Sequence, residues 1–586
     1  MPRLAIVKPE RCRAGKDCPY ICVADCPVNR ARKPCVTVLE TTKKPAIDEG
    51  LCIGCNICVM RCPYGALDII KLPEELKEAP VHSWGQNAFR LYSLPIPQPG
   101  KVLGLLGPNA IGKSTALAIL AGRVIPTLEM GRPATPAELA ARFKGGPLAA
   151  HFKALAAKEL VVAYKPQAIE PPAELMKLKV GELLRAVDER GAFATVVAAL
   201  GLAEILDRTL DQLAGGELQR VAIAATSLKD ATLYFFDEPS SYLDVAQRLT
   251  VATFLRELLE RNRAAVLLAE HDLLVMDYVA DLAQIVYGKP DGYGIAALPK
   301  SARAAINDYL EGWIAELKLR FREKPIRFAA RAPPELAQKP QLTAWDAFEL
   351  RLGEFSLSVE PGQIGVGEVV GVLGPNGIGK TSFARALAGL IEPAKGKPGL
   401  TVKVAYKPQY LIFEEDLPVA KVLGEALVAF EQSLIRPLEL KNLLNRKLSE
   451  LSGGQLQRVA IAAALAKDVP LCVLDEPSAF LDVEQRLVLA KTIKELTESR
   501  GSATLVIDHD ILFIDNIAER LMVFEGRAAI EGRARGPMAM LEGMNTFLAG
   551  MGLTMRRDIE SKRPRINKPG SRLDLEQKAA GSYYYE

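Results

Sequence analysis

The chain has 586 residues, 49% of them hydrophobic and 25% charged, and a formal net charge of +4. That length allows about three to five domains of roughly 100–200 residues each, in a composition typical of globular protein. No apolar run approaches the ~18 residues needed to span a bilayer, and no basic-plus-apolar leader opens the chain, so a cytoplasmic protein without membrane segments is expected. The small charge surplus does not by itself imply a polyanion partner, which would have to be argued from local patches.

Nine of the ten cysteines fall between Cys12 and Cys62. Without a secretion signal, a disulfide framework is not expected. The cysteines form two groups, Cys12-x5-Cys18-x3-Cys22-x3-Cys26-Pro27 and Cys52-x2-Cys55-x2-Cys58-x3-Cys62-Pro63. The second has the bacterial ferredoxin spacing, in which three close thiolates hold one [4Fe–4S] cluster and the Cys before Pro reaches the other. One cluster is therefore assigned to Cys26, Cys52, Cys55 and Cys58, and its neighbour to Cys12, Cys18, Cys22 and Cys62. Cys35 is left over. Zinc is the alternative, but zinc ligands usually come as separated CxxC pairs. Cys472, inside the apolar run Leu471–Leu474, reads as a small buried hydrophobe.

Phosphate-binding loops occur twice. Gly107-Pro108-Asn109-Ala110-Ile111-Gly112-Lys113-Ser114-Thr115 recurs as Gly374-Pro375-Asn376-Gly377-Ile378-Gly379-Lys380-Thr381-Ser382. Backbone N–H groups of such a loop cradle phosphates, the Lys neutralises β/γ oxygens and the hydroxyl of Ser114 or Thr381 ligates Mg²⁺. Apolar strands ending in Asp237-Glu238 and Asp475-Glu476 supply an Asp for Mg²⁺ and a Glu to orient water. Ahead of them stand Ala214-Gly215-Gly216-Glu217 and Ser452-Gly453-Gly454-Gln455, and behind them His271 and His509. Taken singly, each element has a bland reading as a turn, a solvated pair or a structural histidine. However, the glycine pairs, the acid pairs and the histidines all repeat at an offset of 238 residues.

The pattern resembles the ATP-binding cassette superfamily. That resemblance gives Gln167 and Gln409, in matching Ala-Tyr-Lys-Pro-Gln strings, the Q-loop role beside Mg²⁺. It gives Asp244 and Asp482 the D-loop position, and makes His271 and His509 the switch histidines. Trp84 and Phe89 are candidates to stack adenine in the first cassette, and Trp345 and Phe348 in the second; core packing is the competing account of all four.

The Lys-to-Gln interval is 54 residues in the first cassette and 29 in the second. The extra residues, within Thr127–Val161, predict a helix–loop–helix. Thr135 is its N-cap, Pro136 the first helical residue and Glu138 the closing residue of a capping box, and Gly145 and Pro147 separate the two helices. Five basic residues there (Arg132, Arg142, Lys144, Lys153, Lys158) face three acids, which suggests a phosphate-backbone contact, with a solvated hairpin as the alternative. Residues 301–340 read as a basic, Pro-punctuated hinge. The segment Arg556–Arg572 carries seven basic residues and reads as a solvated tail or as a strap between cassettes, facing RNA phosphates or cassette carboxylates.

The whole chain resembles subfamily E of the ATP-binding cassette proteins, the RNase L inhibitor family of archaeal and eukaryotic ribosome-recycling factors. The resemblance implies an α/β fold: a ferredoxin-like α+β domain (1–75), a first cassette (80–300) with its insertion at about 130–160, a hinge (301–340), a second cassette (341–535) and a C-terminal hinge and basic tail (536–586). It also implies two [4Fe–4S] clusters, two Mg-ATP, ATP hydrolysis and ribosome splitting. The implied partners are the small subunit with its rRNA and release factor 1 or its surveillance homologue Pelota; a monomer is expected. Ala214, where the second signature has Ser452, and Ala110, where the second loop has Gly377, predict unequal ATP sites. An ATP-coupled electron carrier and a transporter motor are the competing classes; no flavin or redox-substrate motif supports the former, and the fused tandem with its cysteine domain argues against the latter.

Overall fold

The computed structural model describes residues 3–72, 78–262, 264–328, 339–411, 413 and 415–584. In the N-terminal domain, strand Arg3–Val7 runs antiparallel to Leu67–Lys71, and Val36–Val38 forms a hairpin with Pro45–Ile47. Between them lie the short helices Ile21–Ala24, Pro27–Arg30 and Ile57–Arg61. Four of the nine buried residues in this domain's core are cysteines, so apolar side chains alone make only a small nucleus.

Each cassette is built on one twisted sheet. In the first, the parallel core runs Val162–Lys165, Leu233–Asp237, Ala265–Ala269, Val102–Leu106, Leu282–Lys289, and the last strand turns antiparallel onto Tyr293–Ala296. The second repeats this order with Val404–Lys407, Leu471–Asp475, Ala503–Ile507, Val369–Leu373 and Arg520–Arg527, the last again pairing antiparallel with Glu531–Ala539. The central strands are buried along their whole length, which is why they read as unbroken apolar runs rather than alternating ones. Their carboxyl ends carry the P-loops and the Asp-Glu pairs, where ligands bind in open parallel sheets.

The helix–loop–helix forms as expected, with helices Pro136–Arg142 and Pro147–Ala156. Glu138 N donates to Thr135 Oγ1 at 3.4 Å and Thr135 N donates to Glu138 Oε2 at 2.7 Å, completing the capping box. Leu139, Leu148 and Phe152 anchor the insertion in the cassette core. Two of its five basic residues already have carboxylate partners: Arg132 binds Glu138, and Arg142 donates to Glu78 Oε2 at 2.8 Å. Lys144, Lys153 and Lys158 are exposed.

The hinge reading of 301–340 needs correction in its first half. Residues Ala302–Glu311 form a helix that buries Ala302, Ala305, Ile306, Tyr309 and Leu310 against the first cassette. That spacing is a helical apolar stripe, obscured by the basic residues beyond it. Arg322 then spans the cassettes: its guanidinium lies over the Tyr309 ring at 5.0 Å and 3.6 Å from Glu484. The Pro333-Pro334 pair lies outside the described residues.

The basic tail is folded. After helix Met540–Gly550, a hairpin of Met555–Arg557 with Pro564–Ile566 leads to helix Arg572–Ala580. The hairpin crosses back to the first cassette. Arg565 grips Asp277 at 2.5 and 3.0 Å and reaches Asp558 at 3.2 Å, and the fully buried Arg563 lies 3.4 Å from Asp277. Of the two readings, the strap facing cassette carboxylates is therefore the one present. Burial pulls the Arg563 guanidinium below its usual range, and the Asp277 carboxylate opposes that shift. Removing one partner of a buried pair costs about 3–5 kcal/mol. Asp277→Ala is accordingly expected to lower stability by about that amount in denaturant titrations and to expose the strap to proteolysis.

Candidate nucleotide and cluster sites

The two P-loops have one conformation. Gly112 and Gly379 sit at φ 97° and 96°, and a Cβ on Gly112 would lie 2.7 Å from the Phe89 ring. Only glycine meets both conditions. Ala110 holds φ 57° where Gly377 holds 70°, so the first loop keeps its shape at the cost of some backbone strain. Lys113 Nζ donates to the carbonyls of Gly107 and Pro108 at 2.8 Å each, and Lys380 does the same to Gly374 and Pro375 at 2.9 and 2.6 Å. Burial draws both lysines below their ordinary range, Lys380 to about 8.

The acid pairs are held from several sides. The Ser114 hydroxyl acts to lower Asp237 and the Thr381 hydroxyl to lower Asp475, so in each site hydroxyl and carboxylate are neighbours, as a hydrated divalent cation requires. Gln167 and Gln409 each donate to Oε1 of Glu238 and Glu476 at 2.8 Å. His271 Nε2 stands 3.3 Å from Glu238 and His509 Nε2 3.2 Å from Glu476. Burial alone would raise both glutamates. Their histidines, with help from Lys113 and Lys380 and the glutamine amides, pull them to about 2, so each is a carboxylate able to accept from water. Asp475 goes the other way, pushed to about 6 by burial and by the Glu476 charge despite the Thr381 hydroxyl.

The Ala-Tyr-Lys-Pro-Gln strings do more than supply a glutamine. Tyr164 and Tyr406 hydroxyls reach Asp237 and Asp475 at 3.4 and 3.3 Å, and Lys165 and Lys407 donate to the backbone carbonyls of Asp237 and Asp475 at 2.9 and 2.7 Å. Thus three of five side chains in each string serve the acid pair. The verbatim repetition of the string was the available signal.

The cassettes face head to tail. Asn109 N, in the first P-loop, donates to Asp482 Oδ2 at 3.1 Å, and Asn376 N donates to Asp244 Oδ2 at 2.9 Å. One cavity is lined by Lys113, Ser114, Thr115, Gln167, Glu238 and His271 together with Ser452, Gly453 and Gly454 of the other cassette. Both signatures open 13-residue helices, Gly215–Ser227 and Gly453–Leu465, whose N-termini favour anions. The second glycine of each is packed on its own cassette: a Cβ on Gly216 or Gly454 would lie 2.8 Å from the carbonyl of Tyr242 or Phe480. Ser452 Oγ accepts from Gln455 N at 3.4 Å and retains its proton for another acceptor, whereas Ala214 has no hydroxyl.

Two adenine-stacking candidates of the second cassette require correction. Trp345 and Phe348 are buried in the core around Phe383, and Trp345 Nε1 donates to the Glu360 carbonyl at 3.0 Å. Phe355 occupies the place of Phe89, its ring 3.0 Å from where a Cβ on Gly379 would be. The ring-to-Lys spacing, 24 residues for Phe89 and 25 for Phe355, would have identified it. Trp84 is exposed and, with Phe89, lines the first nucleotide cavity.

Cys22 is pushed up to about 12 by burial and by Cys12, Cys18, Cys62 and, least, Cys58; Cys58 is raised to about 11 by burial and by Cys52 and Cys55, with Cys26 adding to the effect. Cys26, Cys52, Cys55 and Cys58 line one small cavity, a donor set whose chemistry fits a ligand gripped by several thiolates at once. Cys35, buried beside Cys26 and Cys52, also lines that cavity. The domain abuts the second cassette. Arg13, next to Cys12, pairs with Glu450, two residues before Ser452, and Asn445 donates to the Pro63 carbonyl at 2.7 Å.

Among the described residues no helix is long and apolar enough to cross a membrane. Family models for an ABC transporter match residues 93–241 and 357–479, and one for a 4Fe-4S binding domain matches residues 45–68. These domains bind nucleotide and a 4Fe-4S group, respectively. The chain is 41% identical to ABC transporter E family member 1 of Arabidopsis thaliana, covering 100% of this chain and 99% of that protein. It is 38% identical to translation initiation factor RLI1 of Saccharomyces cerevisiae, covering 100% and 98%. A solved model of ribosome-bound archaeal Pelota and ABCE1 superposes with a TM-score of 0.93 at 46% identity, over 100% of this chain and 99% of that one. A complex of the archaeal ribosomal stalk protein aP1 with the recycling factor aABCE1 gives 0.82 at 46% identity, covering 87% and 99%. With full-length similarity to such proteins, two ATPase cassettes and a cysteine-rich domain, the chain belongs to the ABC transporter E family.

Proposed function

We propose that this chain hydrolyses ATP to ADP and phosphate at two composite sites, and that closure of the cassettes splits ribosomes into subunits in the cytoplasm. The observation that carries the reading is the pair of reciprocal contacts between P-loop asparagines and D-loop aspartates, combined with the attachment of the cysteine domain beside Ser452. Nucleotide drawn between Lys113 and Ser452 would move the Glu450–Arg13 attachment, and with it the N-terminal domain. ATP can shift this equilibrium only by binding the closed form better than the open one.

In each site the P-loop (Gly107, Asn109, Gly112, Lys113 and Thr115; Gly374, Asn376, Gly377, Gly379, Lys380 and Ser382) holds phosphates. Mg²⁺ is held by Ser114, Asp237 and Gln167 in one and by Thr381, Asp475 and Gln409 in the other. Glu238 and Glu476 accept the proton of the aligned water, oriented by His271 and His509. Signature residues Gly215 and Gly216, or Ser452, Gly453 and Gly454, complete the phosphate cradle, and Phe89 and Phe355 offer ring faces to adenine. Two [4Fe–4S] clusters, on Cys12, Cys18, Cys22 and Cys62 and on Cys26, Cys52, Cys55 and Cys58, stiffen the N-terminal domain. By analogy with the relatives, the partners are ribosomal subunits, mainly the small one and its rRNA, with release factor 1 or Pelota alongside a monomeric chain.

The reading is tested by sedimentation with ribosomal subunits in a non-hydrolysable ATP analogue; failure to co-sediment with the small subunit would overturn it. About eight iron and eight sulfide per chain are expected from two clusters. Cys22→Ser and Cys55→Ser should lower both and abolish splitting while leaving basal ATPase largely intact. Since Arg142 is already paired with Glu78, the insertion's RNA contact falls to Lys144 and Lys153; changing both to Glu should weaken small-subunit binding with a flatter salt dependence. The sites should also turn over unequally. A hydrogen bond to a charged group is worth roughly 1.5–3 kcal/mol, about 10- to 150-fold. In single turnovers, Ala214→Ser should therefore speed the Glu238→Gln protein by about tenfold or more and leave the Glu476→Gln protein nearly unchanged.

A further inference from the structure

Arg248 and Arg486 lie at equivalent positions after the two D-loops, and none of the roles above uses them. Both side chains are largely enclosed, with 14% and 15% of their surface exposed. Arg248 Nε donates to the carbonyl of Leu243 at 2.8 Å and Nη1 to Asp272 Oδ2 at 2.7 Å. Leu243 precedes Asp244, which holds Asn376 of the other cassette's P-loop. Asp272 follows His271, which stands against Glu238, and it caps the next helix by accepting from Leu274 N at 2.8 Å and Val275 N at 3.2 Å. The mirror route runs from Asn109 through Asp482, the Leu481 carbonyl at 2.8 Å from Arg486 Nε, and Asp510 at 2.6 Å from Nη1, to His509 and Glu476. The two arginines also feel each other and each other's aspartates across the interface.

We propose that Arg248 and Arg486 are positioning residues that transmit occupancy of one nucleotide site to the water-orienting glutamate of the other. The route is directional: Arg248 joins the second P-loop to Glu238, and Arg486 joins the first P-loop to Glu476. A P-loop that shifts on binding nucleotide draws the opposing D-loop aspartate with it. The arginine, bonded at once to the D-loop carbonyl and to the residue after the switch histidine, carries that displacement to the histidine. The proposal rests on the reading of Glu238 and Glu476 as the catalytic acids.

The test uses the full chain and single turnovers with ATP. The rate at the first site is compared between Glu476→Gln, in which the second site stays filled, and Lys380→Ala, in which ATP stoichiometry should confirm that it is empty. A ratio of about tenfold or more is expected, falling toward one when Arg248→Met is added and unaffected when Arg486→Met is added. The two arginines have equivalent packing, so purely structural damage would not discriminate between them. If Arg248→Met fails to fold, Arg248→Lys, which keeps the charge but cannot span both acceptors, is expected to give the same fall. A ratio near one without any arginine change, equal responses to the two arginine changes, or no response to Arg248 would overturn the proposal. Persistent first-site turnover in Lys380→Ala/Glu238→Gln would instead overturn the assignment of Glu238, independently of the relay.

Discussion

A carboxylate at a domain interface must find donors, and here each D-loop aspartate finds one in the backbone of the opposite P-loop. Asp482 accepts from Asn109 N and Asp244 from Asn376 N, while Asp482 and Asp244 also accept from Gln485 N and Gln247 N at the start of their own long helices. The backbone donor cannot be swapped out by a side-chain change, so each P-loop carries a fixed contact to the other cassette. The signature helices, the shared cavity and the Tyr242–Phe480 ring contact, with centroids 6.0 Å apart, all lie around these two bonds.

Buried charge is used in the same way elsewhere. Lys165 and Lys407, almost wholly enclosed, spend their ammonium groups on the carbonyls of the acid pairs, and Arg563 is enclosed against Asp277. Such groups tolerate few alternative arrangements, because a lost partner leaves a costly unsatisfied charge. Lys165 and Lys407 thereby hold the carboxyl ends of the strands that carry the acid pairs by directed bonds as well as by apolar packing. Glu238 and Glu476, at φ 47° and 48°, follow directly in the left-handed region that non-glycine residues seldom adopt.

The catalytic motifs were legible because phosphate and acid chemistry demands fixed residues at fixed spacing, and because two copies could be checked against each other. The 4Fe-4S binding character of the N-terminal domain was legible for the same reason, in the spacing of Cys52, Cys55, Cys58 and Cys62. One further regularity escaped: Ile-Cys-Val-x-x-Cys-Pro occurs at both Ile21 and Ile57, and each copy enters its helix from a left-handed residue, Tyr20 or Asn56. Aromatic stacking was not legible at Trp345 and Phe348, since a ring near a P-loop in sequence serves a core as readily as a nucleotide. The helix at Ala302–Glu311 was hidden by neighbouring basic residues, and the fate of Arg563 depended on Asp277, nearly three hundred residues earlier and without a local signal.

The strap has a consequence for how the cassettes meet. The chain passes from the first cassette to the second at Arg322, beside Glu484, and its far end returns to the first through Arg563 and Arg565. The two halves are therefore joined by a covalent tether and a non-covalent clasp. Their association is intramolecular, governed by an effective concentration that the tether fixes rather than by the amount of protein present. An enzyme assembled from separate half-molecules would close less often on dilution; this one closes to an extent set by its nucleotide at any dilution.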